Sequence, residues 1–97
     1  MSQASVERRL RQATARLRDA REELVVLDHQ LASLAEDADD LHVRSLVGDS
    51  PMADREHRDA KRSVDAMNRS RAAVVAEIAK LERTIDELLE RFVPDPR

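Results

Sequence analysis

Ninety-seven residues with a net charge of −3, 38% charged positions, one Gly, a single Phe and neither Trp nor Tyr suit one small domain built of long helices. A β-sandwich or doubly wound sheet is excluded, and without cysteine there is no disulfide framework and no thiolate metal site. The slight negative charge leaves no broad basic footprint for a phosphate backbone and no apolar run has the length of a signal peptide or membrane span, so direct nucleic-acid and membrane partners are not expected and a cytoplasmic location is.

The first predicted element is a helix over about 3–46. From Val6, apolar or small residues recur at alternating steps of four and three: Leu10, Ala13, Leu17, Ala20, Leu24, Leu27, Leu31, Leu34, Ala38 and Leu41. Such spacing is an unbroken heptad seam, the pattern of a coiled-coil helix. Off the seam, Val25, Ala32 and Ala35 fall at heptad positions b or e, and the stretch from Glu22 to Asp40 carries seven carboxylates and no Lys or Arg.

A turn over 47–51 follows, Val47-Gly48-Asp49-Ser50-Pro51. Gly48 suits a left-handed position just past the helix end, Ser50 can cap the next helix, and Pro51 fits its first turn. So short a connection sends the second helix back antiparallel to the first. Val43, Leu46, Val47 and Met52 cluster around the turn and are expected to seal it. Beside them, Asp49, Met52, Asp54, Arg55 and Glu56 are candidate contacts at the tip.

The second helix, about 52–93, repeats the heptad at Ala53, His57, Ala60, Val64, Met67, Arg71, Val74, Ile78, Leu81, Ile85, Leu88 and Phe92. Folding about Asp49 pairs residues whose numbers sum to 98, and every seam layer then meets a seam layer. Leu17 faces Leu81 and Leu24 faces Val74, while Ala13 and Ala20 sit under Ile85 and Ile78. Large-on-small packing of this kind sets register. The pairing also lays the acidic stretch of the first helix beside the basic stretch from Arg58 to Arg71, a match that is regional rather than exact: flanking pairs include Arg44 with Glu56 but also the like-charged Glu23 with Glu77 and Arg9 with Arg91. At ~1.5 Å rise per residue the hairpin is a rod on the order of 60 Å long, ended by Pro94-Asp95-Pro96.

Two seam positions are polar. Arg71 lies opposite Leu27, within reach of Asp28 and Glu23, and is expected to snorkel to a carboxylate and fix register; a phosphate or nucleotide contact is the alternative. His57 is expected near His42 across the hairpin, with Asp54 and Glu56 close by. Two imidazoles and a carboxylate are a possible Zn²⁺ set, but no i, i+4 ligand pair reinforces them, so no metal and no cofactor is expected. No nucleophile, base and acid stand in a recognisable catalytic pattern, and there is no Gly-rich phosphate loop.

Ala72, Val75 and Ala79 occupy b or e positions of the second helix, on the same side of the hairpin as Val25, Ala32 and Ala35, and Leu89 and Val93 continue that side. This face is expected to pack against a protein partner or a second copy, completing a four-helix bundle.

The segment Gly48-Asp49-Ser50-Pro51-Met52-Ala53-Asp54-Arg55-Glu56-His57-Arg58-Asp59-Ala60-Lys61 resembles the coiled-coil tips of the transcript cleavage and stringent-response factors that enter the secondary channel of bacterial RNA polymerase. By that resemblance Asp49 and Asp54 stand for the acidic tip residues, and Met52 takes the place of a second acid of the cleavage factors. In overall shape the chain is similar to the actinobacterial hairpin anti-sigma factors that hold a sigma factor through cyclic di-GMP. Their repeated Glu, Ser, Arg, Gln and Asp pattern is absent: Asp59 and Ser63 begin it and Ala66 interrupts it. The expectation is therefore an all-α, antiparallel two-helix coiled-coil hairpin that assembles into a four-helix bundle. Its function would be non-enzymatic, as a small bacterial regulator contacting RNA polymerase or a sigma factor. The alternatives are a self-assembling scaffold protein and a metal- or nucleotide-sensing hairpin.

Overall fold

The computed structural model describes residues 2–48 and 50–92. It consists of α1 (Gln3–Val47, 45 residues) and α2 (Pro51–Arg91, 41 residues), packed along each other as an antiparallel hairpin. Neither helix contains Gly, and the one Pro within them stands at the first position of α2, so nothing interrupts either backbone ladder. The rod measures 75 Å in its long direction and 19 by 14 Å across. α1 runs one residue further into the turn than expected, and α2 begins one residue earlier and ends at Arg91. Asp49, Val93 and the segment Pro94-Asp95-Pro96 lie outside the described residues.

The helix ends use local hydrogen bonds to satisfy backbone groups that the helices leave open. At the start of α1, Ser2 Oγ accepts from the Ser5 N–H at 3.2 Å. At the start of α2, Ser50 Oγ accepts from the Ala53 N–H at 3.5 Å, with Asp54 in the first turn where a carboxylate favours the positive end of the helix dipole. Gly48 corrects the expectation of a left-handed residue: its backbone is extended, at φ −97° and ψ 126°, and no described residue has positive φ. The helix closes instead through the Gly48 N–H, which donates to the Arg44 carbonyl at 2.8 Å. Close approach is what favours glycine here, since a Cβ would lie 3.1 Å from that same oxygen.

Both seams face inward. Every seam residue of α1 from Val6 to Leu41, and every one of α2 from Ala53 to Phe92, is buried or half-buried. Burial is uneven along the rod, however. Val6, Ala13, Leu17 and Ala20 on α1 and Val74 and Leu88 on α2 form the tight core, all toward the open end, and Ala20 is wholly enclosed. Small Ala layers there let the two backbones approach closely under Ile78 and Ile85. Toward the turn the seam holds half-exposed Leu, Met, His and Arg, and packing slackens.

Inter-helix ion pairs bracket the register. With a and d layers summing to 98 in an antiparallel pair, g faces g at a sum of 93 and e faces e at a sum of 103. Arg16 and Glu77 satisfy the first relation at 2.6 Å, and Arg21 and Glu82 the second at 3.5 Å.

Candidate functional site

Three features distinguish this rod from a featureless coiled coil: its tip, one long face, and the polar interruptions of its seam.

At the tip, Leu46, Val47 and Met52 are 72%, 83% and 69% exposed, and Val43 is exposed beside them. They do not seal the turn. The chain leaves α1 in extended conformation and re-enters α2 after three residues, too short a link to fold these side chains over the end of the seam. Asp54, Arg55 and Glu56 are exposed around them, while Asp49 lies outside the described residues. The end of the rod is thus an apolar patch ringed by charges of both signs.

Along the e side of the hairpin, Val25, Ala32, Ala72, Val75 and Ala79 are exposed and Ala35 is half-buried. Val25 and Val75 are 57% and 41% exposed, and Leu89 continues the apolar content toward the open end. The opposite, g side carries Val26, 53% exposed and level with Ala73, but is otherwise polar along α1 from Arg9 to Arg44, with Arg16, Glu23, Gln30 and Asp37.

Within the seam, Arg71 donates from Nε to Asp28 Oδ1 at 2.5 Å. The hydrogen bond, and then the charge of Asp28, push the guanidinium pKa further up from its ordinary value against a smaller desolvation effect. The expected second acceptor, Glu23, takes no part: as a g residue it sits on the far side of the seam from the e residue Asp28. His57 is half-buried and its ring centroid lies 4.7 Å from that of His42, the planes tilted by 43°. Asp39, Lys61 and Asp65 line the same open groove, of about 370 Å³. Among the described residues no three His, Asp or Glu side chains gather as a metal site requires. Asp54 and Glu56 therefore do not join the two imidazoles.

The flanking charges are arranged otherwise than expected. Glu77 meets Arg16, whose Nε and Nη2 reach its two carboxylate oxygens at 2.6 and 2.8 Å, rather than lying against Glu23. That forked contact holds the Glu77 carboxyl below its ordinary pKa, chiefly through the Arg16 hydrogen bond, and raises the pKa of Arg16. The signal was present in the heptad, because g-to-g and e-to-e pairing singles out Arg16 with Glu77 and Arg21 with Glu82. Of the acidic and basic stretches, only Asp28 and Arg71 are joined by an ion pair between helices among the described residues; Arg62 pairs within α2 with Asp59. A further groove of about 460 Å³ near the open end runs between Arg9, Gln12 and Arg16 on α1 and Thr84, Glu87 and Arg91 on α2. Like the groove beside His42 and His57, it is open to solvent. No described helix is long and apolar enough to cross a membrane.

Comparison with protein-family models, with curated proteins and with solved structures gave no match to this chain.

Proposed function

We propose that the chain is a non-enzymatic protein-interaction module, a small regulator that presents the tip of its hairpin to a partner protein of the bacterial transcription machinery, RNA polymerase or a sigma factor. The exposure of Leu46, Val47 and Met52 at the end of a 75 Å rod is the observation that carries this reading. Isolated exposed apolar residues are ordinary, but a contiguous set at an extremity, rimmed by charge, is the composition of a contact surface. The rod supplies reach and the rim supplies orientation. The class of partner comes from the resemblance of the tip to the secondary-channel factors.

Capture of RNA polymerase or sigma factor from a native lysate by the wild-type chain tests it, alongside the double variant Leu46→Asp, Met52→Asp. Both substitutions lie on already exposed positions and leave the seam intact, so helicity stays at the wild-type level. Loss of capture with helicity retained supports the tip; undiminished capture, or none by the wild type, overturns the reading. A self-assembling scaffold is the second reading, favoured by the exposed Val25 and Val75 on the e side.

A further inference from the structure

We infer that the e-side face is covered by a second copy of the chain, joined about a two-fold axis parallel to the rod, so that α1 of each copy lies on α2 of the other and both tips point the same way. This deepens the self-assembly reading above and stands apart from the tip contact.

The argument starts from what lies at each level of the rod. Residues of α1 and α2 at one level have numbers that sum to about 98. On this face Val25 is level with Ala72 and Val75, Arg18 and Arg21 are level with Ala79 and Glu82, and Asp39 is level with Arg58 and Lys61. In the proposed pairing each α1 meets the other copy's α2 at these same levels. The charge match already used inside one hairpin, Arg21 to Glu82 and Asp28 to Arg71, is therefore repeated between hairpins. Val25 meets Ala72 and Val75, Ala79 meets the stems of Arg18 and Arg21, Ala32 meets Asp65 and Asn68, and no two like charges are brought level.

Reversed rods do not achieve this. That arrangement puts α1 on α1 and α2 on α2, and a single offset governs both. Centring the apolar stretch of α1 brings Val75 level with Lys61; centring that of α2 brings Val25 level with Arg21. Either way one of the two valines is set on a charged side chain, whereas the proposed pairing sets Val25 on Ala72 and Val75.

The area is sufficient. From Thr14 to His42 the face runs about 42 Å at the helical rise and is 19 Å wide. The product is about 800 Å² from each copy, the size of a standard stable interface. Covering it also shields the half-exposed seam leucines Leu24, Leu27 and Leu31, which two helices alone leave partly wet. The ion pair of Asp28 with Arg71 enters the interface already hydrogen-bonded, and the second copy's Arg71 comes level with Asp28. Two apolar tips are then displayed side by side.

The chain has no cysteine, so introduced pairs report without background. Sedimentation equilibrium should show the wild type as a dimer, and Val75→Glu should weaken association by ~100-fold or more through burial of an unpaired charge with helicity unchanged. In mixtures of single variants under oxidation, Val25→Cys should couple to Ala72→Cys between chains in preference to Ala32→Cys. A monomeric wild type, a Val75→Glu chain that still dimerises, or dominant coupling of positions 25 and 32 would each overturn the inference. The Leu46→Asp, Met52→Asp variant should remain dimeric, so loss of the tip contact and loss of the dimer are separately visible.

Discussion

At the scale of single residues, the charged side chains that matter are those whose heptad letter places them against a partner. Arg16 and Glu77 make a forked contact between g positions, and its consequence is a pH dependence of defined sign. The Glu77 pKa is lowered in the folded chain, first by the Arg16 hydrogen bond. A carboxylate so shifted adds stability above its unfolded pKa, and that contribution disappears as pH falls through the folded value. Glu77→Gln should therefore lower the thermal midpoint at neutral pH, and the gap to the wild type should close on acidification below the ordinary carboxylate range. Melting curves by circular dichroism between neutral and strongly acidic pH read this directly. A gap that stays constant would mean that the carboxylate stabilises by packing rather than by charge. Both side chains are substantially exposed, so the effect should also shrink in high salt. Arg71 belongs to a different class: it interrupts an apolar seam, and its ion pair with Asp28 lets it do so while leaning toward the e side.

At the scale of the helix, the two seams could be read from the sequence because coiled-coil packing obeys one period, and each of their residues is buried or half-buried. The layer sum of 98 predicts that cysteines replacing Leu17 and Leu81 form a disulfide within one chain under oxidation. Non-reducing electrophoresis should then show a compact monomer, and crosslinks formed only between chains would point to an exchanged or extended helix instead. Other parts of the fold and of the candidate site were less legible, each for a physical reason. A single Gly before a turn is compatible with a left-handed or an extended exit, and its identity alone does not distinguish them; Gly48 takes the extended one. Apolar residues near a turn can fold inward or stand out, depending on link length and exit direction, neither of which is written in the identities of Leu46 or Met52. The e-side face was visible as a pattern, and its exposure follows from that pattern. The Arg16 contact was missed because proximity in level was considered without the heptad letter.

At the scale of the whole molecule, the hairpin is graded: its enclosed residues lie in the half away from the turn, and its most exposed large apolar ones, Leu46, Val47 and Met52, lie at the turn. The gradient in the seam has a packing cause. Alanines at Ala13 and Ala20 allow close backbone approach, whereas the layers nearer the turn carry Met67, Ala60 and His57, which match Leu31, Ala38 and Leu41 less tightly. Local opening should follow the same gradient, since helical hydrogen bonds break most readily where few apolar contacts cover them. Amide hydrogen exchange is therefore predicted to be fastest in the turns flanking the tip, residues 42–47 and 51–57, and slowest around Ala13 to Ala20 and Val74 to Leu88, with a difference of ~10-fold or more. Association through the e side would raise protection in the middle of the rod but would end near His42, leaving the order of the two extremes unchanged. Uniform protection along the rod, or a tip slower than the open end, would show that the burial gradient does not control opening. The predicted order suits the proposed role, because a tip held by slack layers can adjust to a partner while the tight open end keeps the two helices in register.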